Sequence, residues 1–259
     1  MEQPFLSIIT INYNDKNGLK KTIASVLKQT YQDFEYIVID GGSTDGSETI
    51  IKQYVEDFSY SVSEPDTGIY NAMNKGIKQA KGKYLQFLNS GDIFTSSNAL
   101  NDFIGNSDFE GDIIYGDYKF ENGEKIYPDQ LTPLFFMRSS LPHQSTLFRS
   151  GLFNEMGLYD ETLKISADRS FYIKCFLADS FIFKHITYPL VLFDLSGKSN
   201  TKDYKKMKTR EDTLIFERHF GIFSEDYKNH LALEQELYRT RAITLSGWIK
   251  RIKRKFGLS

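Results

Sequence analysis

Residues 63–92 read SEPDTGIYNAMNKGIKQAKGKYLQFLNSGD. The segment opens on a turn rich in Pro, Asp and Gly, passes through a helical stretch, and enters the apolar strand Tyr84–Leu88. It stops at a tight polar turn, Asn89-Ser90-Gly91-Asp92. A carboxylate directly after a buried strand, on a turn containing glycine, suits a cation or a phosphate-bearing ligand held at the carboxyl edge of a sheet.

Upstream, FLSIITI (Phe5–Ile11) is a β-branched run of the kind buried on both faces of a parallel sheet. A polar turn, Asn12-Tyr13-Asn14-Asp15, leads into Leu19, Ile23, Val26 and Leu27 at helical spacing. EYIVI (Glu35–Ile39) predicts a second strand ending on Asp40, followed by the turn GGSTDGS (41–47) and a helix near Glu48–Tyr54, with Ser43 or Thr44 as its cap. Two strand–turn–helix units in succession argue for an α/β fold with a doubly wound, mostly parallel central sheet. Ligands of such sheets bind beyond the strands' carboxyl ends, where Asp40 and Asp92 both fall. The glycine-rich turn fits neither the dinucleotide nor the P-loop pattern, and any tight strand-to-helix turn uses the same residues.

Downstream, the pattern predicts strands at Asp112–Tyr118, Thr146–Arg149, Phe181–Phe183 and Val191–Asp194, with a hairpin at Lys119–Ile126. A turn-helix is expected over Phe153–Asp160, and a helix opens near Asp168 with Phe171, Tyr172, Phe176 and Leu177 on one side. From Thr201 the composition turns to Lys, Arg and Glu at helical spacing, which predicts a helical C-terminal tail.

The bulk numbers exclude more than they select. A net charge of -2 over 259 residues gives no drive toward nucleic acid. The one cysteine, Cys175, rules out an internal disulfide and any multi-cysteine metal site, and its apolar setting reads as a buried hydrophobe. Polar residues interrupt every apolar stretch before it reaches membrane-spanning length, so a cytoplasmic protein with at most peripheral membrane contact is expected. Aromatic residues at 15% fit a large aromatic core or surfaces that stack on carbohydrate.

Asp40, Asp92, His143 and Asp168 all project toward the inferred crevice. Without a serine or cysteine nucleophile arrangement or a zinc pattern, carboxylates suit general-base work and oxygen-ligand binding of Mg²⁺ or Mn²⁺. The residues alone therefore point to metal- and phosphate-dependent transfer or hydrolysis.

Ser7–Asn14 (SIITINYN), Ser25–Tyr31 (SVLKQTY), Tyr36–Ser47 (YIVIDGGSTDGS), Ser63–Gly76 and Tyr84–Asp92 together resemble the donor-binding half of family 2 glycosyltransferases. That resemblance implies the A-type nucleotide-sugar fold, an inverting reaction, and a role like that of bacterial surface-polysaccharide enzymes. It implies that Asn12, Tyr13 and Asn14 form the first lip of the nucleotide pocket and that Asp40 bonds the base or ribose. Asp66, Gly68 and the helix through Asn71 and Lys75 would lie near the ribose and diphosphate, although Lys75 also reads as a solvated helix lysine. Ser90, Gly91 and Asp92 would stand at the diphosphate, with Asp92 the surviving metal ligand of the family's Asp-x-Asp element for a divalent cation, Mg²⁺ or Mn²⁺. Asp168 would be the general base. His143 and Gln144 fall where the family's acceptor-side loop enters.

The sequence departs from the family at two points: one carboxylate remains in the 89–92 turn, and Ala167-Asp168-Arg169 offers one acid beside a cation where an acidic pair is often found. The implied organisation is a glycosyltransferase domain over 1–200 (donor half 1–100, acceptor half 101–200) and the helical tail over 201–259. Residues 194–199 are a candidate lid. WIKRIKRKF (248–256) sets Trp248, Ile249, Ile252 and Phe256 against a basic face, suited to an anionic membrane surface or to docking on the core or a second subunit. The expected partners are a nucleotide-diphosphate sugar, with UDP favoured over GDP or dTDP, and a saccharide acceptor on a lipid diphosphate carrier. A nucleotide-sugar-binding module without turnover is the competing reading, and a homo-oligomer is open.

Overall fold

The computed structural model describes residues 3–193, 202–243 and 248. Contacts divide the chain into two compact units, Met1–Asp212 and Thr213–Ser259.

The first unit is an α/β domain built on one sheet. β1 (Leu6–Asn12) is buried at every position, as a strand covered on both faces must be. α1 (Lys16–Leu27) starts where the Asp15 carboxylate accepts the Gly18 N–H at 2.9 Å. β2 (Phe34–Asp40), α2 (Ser47–Gln53), β3 (Tyr60–Ser63), α3 (Ile69–Gln79) and β4 (Tyr84–Phe87) continue as alternating strands and helices. Then follow β5 (Ile93–Phe94), α4 (Ala99–Ile104), β6 (Ile113–Phe120), β7 (Gly123–Lys125), α5 (Pro133–Arg138), β8 (Thr146–Arg149), α6 (Leu152–Met156), α7 (Ala167–Leu177) and β9 (Phe183–Leu192).

The sheet order is β3-β2-β1-β4-β8-β6-β9-β5, with β7 paired to β6. β3, β2, β1 and β4 are parallel, so Asn12, Asp40 and the turn after β4 emerge on one edge. Beyond β4 the sheet is mixed: β8 runs antiparallel to both neighbours, whereas β6 and β9 are parallel. α3 lies close against β1 because Gly76 has no side chain; a Cβ there would come within 2.5 Å of Ile9 Cγ2. Apolar residues of β1, β2, β4, β6 and α1, among them Ile8, Val38, Tyr84, Ile114 and Ile23, share one buried cluster.

Three details differ from the sequence reading. The residue preceding α2 is Gly46 in a left-handed conformation, and Asp45 rather than Ser43 or Thr44 accepts the Ser47 N–H. Ser43 is drawn off by Asp40, a stronger acceptor. The two strands expected at 181–194 are one, β9, whose ladder to β6 is irregular around Asp117 and Pro189. Pro189, which has no N–H to give the ladder, falls at that irregularity. Short or weakly apolar elements (β3, β5, α4 and α5) gave too little periodic signal to be expected at all.

Past β9 the described residues are helical, in α8 (Lys202–Phe220) and α9 (Ser224–Ile243). Within the second unit the Phe220 ring packs on Phe216 and Tyr227. No helix among the described residues is long and apolar enough to cross a membrane. Cys175 is buried, in keeping with a core role. The candidate lid at 194–199 and the basic segment 248–256 lie outside the described residues, apart from Trp248, which is exposed.

Candidate active site

At the edge where the parallel strands end, a cavity of about 630 Å³ is lined by Asn12, Tyr13, Asp66, Gly68 and Ser90, among others. These are residues the sequence marked for the donor. Tyr13 is exposed at the rim. The Asp66 carboxylate accepts the Gly68 N–H at 2.9 Å and lies so close over Gly41 that a Cβ there would meet its oxygen at 2.3 Å. Glycine at 41 is therefore what admits the carboxylate to the cavity wall. Asn12 Nδ2 donates to Asp40 at 2.6 Å, while its Oδ1 is buried with no hydrogen-bond partner among the described residues.

Other donor-side residues sit behind this wall. Asp40 is fully buried and accepts from Ser43 N and Oγ, Ser63 Oγ and Asn12 Nδ2. Burial pushes its carboxyl up, but the hydrogen bonds from Ser43, Ser63 and Asn12 together outweigh that and hold it below the usual carboxylate range. It braces the pocket and does not line it. Asn14 (φ 52°) locks the adjoining turns, donating to Ser43 Oγ and accepting from Thr44 N. Lys75 pairs with Glu64 at 2.7 Å and donates to the Pro65 carbonyl, and Asn71 and Asn74 both donate to Glu161. These side chains staple α3 to its flanking loops.

A second cavity, about 560 Å³, adjoins the first: Asp15, Ile69, Asn89 and Ser90 line both. Asp92, Asp168, His143 and Gln144 also line it. The 89–92 turn is held by Thr22 of α1, whose Oγ1 donates to the Asp92 carbonyl at 2.8 Å and accepts the Gly91 N–H at 3.0 Å. Gly91 itself takes φ 100°. No cluster of three or more His, Cys, Asp or Glu among the described residues forms a ready metal cage. The chemistry of the turn nevertheless fits a hard cation: beside the Asp92 carboxylate, Asn89 Oδ1 and Ser90 Oγ are buried oxygens without hydrogen-bond partners among the described residues.

Asp168 stands in the first turn of α7, its Oδ1 accepting a 2.7 Å hydrogen bond from the Tyr70 hydroxyl. Tyr70 also lies 2.7 Å from the Ile165 carbonyl. Burial first, then the Asp168 charge, push its phenol well above the ordinary value, so it stays a donor. On the far side Glu211 of α8 accepts the successive N–H groups of Lys164, Ile165 and Ser166. Arg169 donates to the Phe136 carbonyl and pairs with Asp212 at 2.7 Å. The start of α7 is thus clamped by α3 and α8.

His143 is almost wholly buried, its ring stacked on Phe87 and its Nε2 2.9 Å from the Tyr159 hydroxyl. Burial drives its pKa down to about 4 against an opposing pull from Asp168, so the ring is neutral around pH 7. Gln144 gives its carbonyl to Gln86. Tyr70, Thr22 and Glu211 were not singled out from the sequence. Tyr70 lies inside the stretch quoted first, but a tyrosine at the start of an amphipathic helix reads as core.

A family model described as "Glycosyl transferase family 2" matches residues 7–161. An uncharacterized glycosyltransferase of Mycobacterium tuberculosis (strain CDC 1551), MT1564, is 32% identical over 210 residues, covering 77% of this chain and 79% of its own. The crystal structure of Staphylococcus aureus TarS 1–349 with UDP-GlcNAc superposes with a TM-score of 0.65 at 19% identity, over 93% of this chain and 73% of that one. This chain spans 44% of a longer TarS chain. The mannosyltransferase PcManGT of Pyrobaculum calidifontis, solved with GDP-Man and Mn²⁺, gives 0.61 at 14% identity, over 84% and 64% of the two chains. These likenesses to solved structures are of fold.

Proposed function

The chain belongs to glycosyl transferase family 2, and from that premise we propose that it moves a sugar, with inversion, from a nucleotide-diphosphate donor to a hydroxyl of a saccharide acceptor. The observation that carries this reading is the pair of adjoining cavities: one walled by Asn12, Asp66 and Gly68, the next presenting Asp168, with Ser90 shared between them. A donor in the first would direct its anomeric carbon toward the second. Asp168 takes the proton of the acceptor hydroxyl as that oxygen bonds the anomeric carbon, and the bond to the diphosphate oxygen breaks on the opposite face. The hydrogen bond from Tyr70 fixes the carboxylate for that transfer. Asp92, Asn89 and Ser90 would hold a divalent cation. Such a cation supplies charge neutralisation for a departing diphosphate. The TarS and PcManGT complexes favour nucleotide sugars as the donor class, and UDP is our first choice.

We assign the catalytic domain to 1–200 and the helical tail to 201–259. The basic amphipathic pattern of 248–256 supports an acceptor at an anionic membrane surface, on a lipid diphosphate carrier, in surface-polysaccharide assembly.

Thermal unfolding with UDP, GDP and dTDP, each with and without Mn²⁺, tests the donor site. One nucleotide should raise the Tm, and more so with Mn²⁺. No shift with any of them would contradict the reading.

A further inference from the structure

The second cavity is lined by the carboxylates Asp15, Asp92 and Asp168 and by two lysines, Lys125 and Lys208. The lysines are in different situations. Lys208 is paired with Asp212 at 2.9 Å. Lys125, on β7, is half-buried, and no carboxylate among the described residues pairs with it. Its ammonium donates to the Ser139 hydroxyl at 3.1 Å and lies 4.6 Å from the centre of the Tyr127 ring. A neutral hydroxyl and a ring face replace little of the water that burial removes, so its pKa is lowered. Beside it, Ser139 gives its own proton to the Ser140 carbonyl. The Ser140 hydroxyl is buried, lines the same cavity, and has no hydrogen-bond partner among the described residues. A desolvated cation and an unsatisfied donor therefore both line this cavity. Tyr118, Tyr127 and Phe193 supply an aromatic surface next to them.

The cavity that holds Asp168 is where the acceptor enters under the reading above, on which this inference rests. We propose that the acceptor carries an anionic group, a phosphate or carboxylate, which Lys125 and the Ser140 hydroxyl bind while a sugar ring lies against the tyrosines. An anion there restores the electrostatic partner that Lys125 lacks and accepts the idle Ser140 proton. A neutral saccharide leaves Lys125 without a countercharge. The group belongs to the acceptor sugar itself or to a diphosphate carrier; the chemistry recognised is the same.

NMR titrations of the full chain, first with UDP and then, at saturating UDP, with glucose, glucose 6-phosphate, glucuronate and farnesyl diphosphate, test this. The expected result is binding of at least one anionic probe about tenfold or more tighter than glucose. That preference should vanish in Lys125→Met and persist in Lys125→Arg, with the UDP titration reporting that each variant is folded. Preference for glucose 6-phosphate or glucuronate assigns the anion to the sugar, and preference for farnesyl diphosphate assigns it to the carrier. Equal binding of charged and neutral probes by the wild type, or a preference that survives Lys125→Met, would overturn the proposal. Absence of UDP binding in the first titration would instead overturn the donor reading beneath it.

Discussion

A buried histidine beside a carboxylate invites a catalytic role, and the surroundings of His143 argue against one. Its ring is packed against Phe87 and Tyr159, and its depressed pKa keeps it uncharged through the neutral range. It shapes the wall of the second cavity without supplying a proton. Linkage gives the consequence. The folded pKa, about 4, lies below the ordinary 6.5, so His143 contributes stability that is complete above about pH 6.5. That contribution is lost as pH falls toward 4, because only the unfolded chain takes up the proton; the full loss is about 3 kcal/mol. His143→Gln should therefore flatten the decline in Tm between pH 6.5 and 4 relative to wild type; an unchanged slope would place the titrating group elsewhere. Residue types and placement marked Asp92 and Asp168, and the family resemblance added Asn12, Asp66, Gly68 and Ser90; all six line one of the cavities. They could not show that Asp40 and Lys75 spend their charge on neighbours, because those partners, Ser63 and Glu64 among them, are brought together by the fold.

At the scale of elements, the start of α7 is the part of the site whose position depends most on distant chain. The residues leading into it, Lys164 to Ser166, present three consecutive N–H groups ahead of the helix, which has no partner for them. Glu211, buried on α8, takes all three. Glu211→Ala would leave three donors without their acceptor, the buried Ser166 N–H among them, and should lower stability by about 1–3 kcal/mol. It should also reduce turnover more than it weakens nucleotide affinity, since α7 carries Asp168 while the donor wall comes from β1 and α3. Equal losses in both, or none in stability, would contradict this account of the clamp. Most elements of the first ninety or so residues were legible because each buried strand and amphipathic helix carries its own periodicity. The clamp was not: the sequence predicts the helical character of 202–220, but nothing local says that Glu211 within it caps another helix. β9 was split for a similar reason, since its irregular ladder around Pro189 depends on β6.

For the whole molecule, the parallel strands deliver one set of polar ends to one edge, and the mixed half closes a second cavity beside it. That division matches the two substrates of a transfer reaction, and family membership gives the class of chemistry. The fold class could be read from two successive strand–turn–helix units; the antiparallel insertion of β8 between β4 and β6 could not, because strand order is set by packing across the sheet. Whether the molecule turns over or only binds comes down to Asp168, the carboxylate of the second cavity that Tyr70 holds. The direct measurement compares wild type and Asp168→Asn for UDP affinity by calorimetry and for UDP release from UDP-hexoses to water and simple glycosides. The account predicts unchanged affinity and a rate lowered by about 10²–10⁴-fold in the variant. An undiminished rate would remove Asp168 from the mechanism, and a wild type that binds UDP-hexose but releases no UDP would make the chain a binding module.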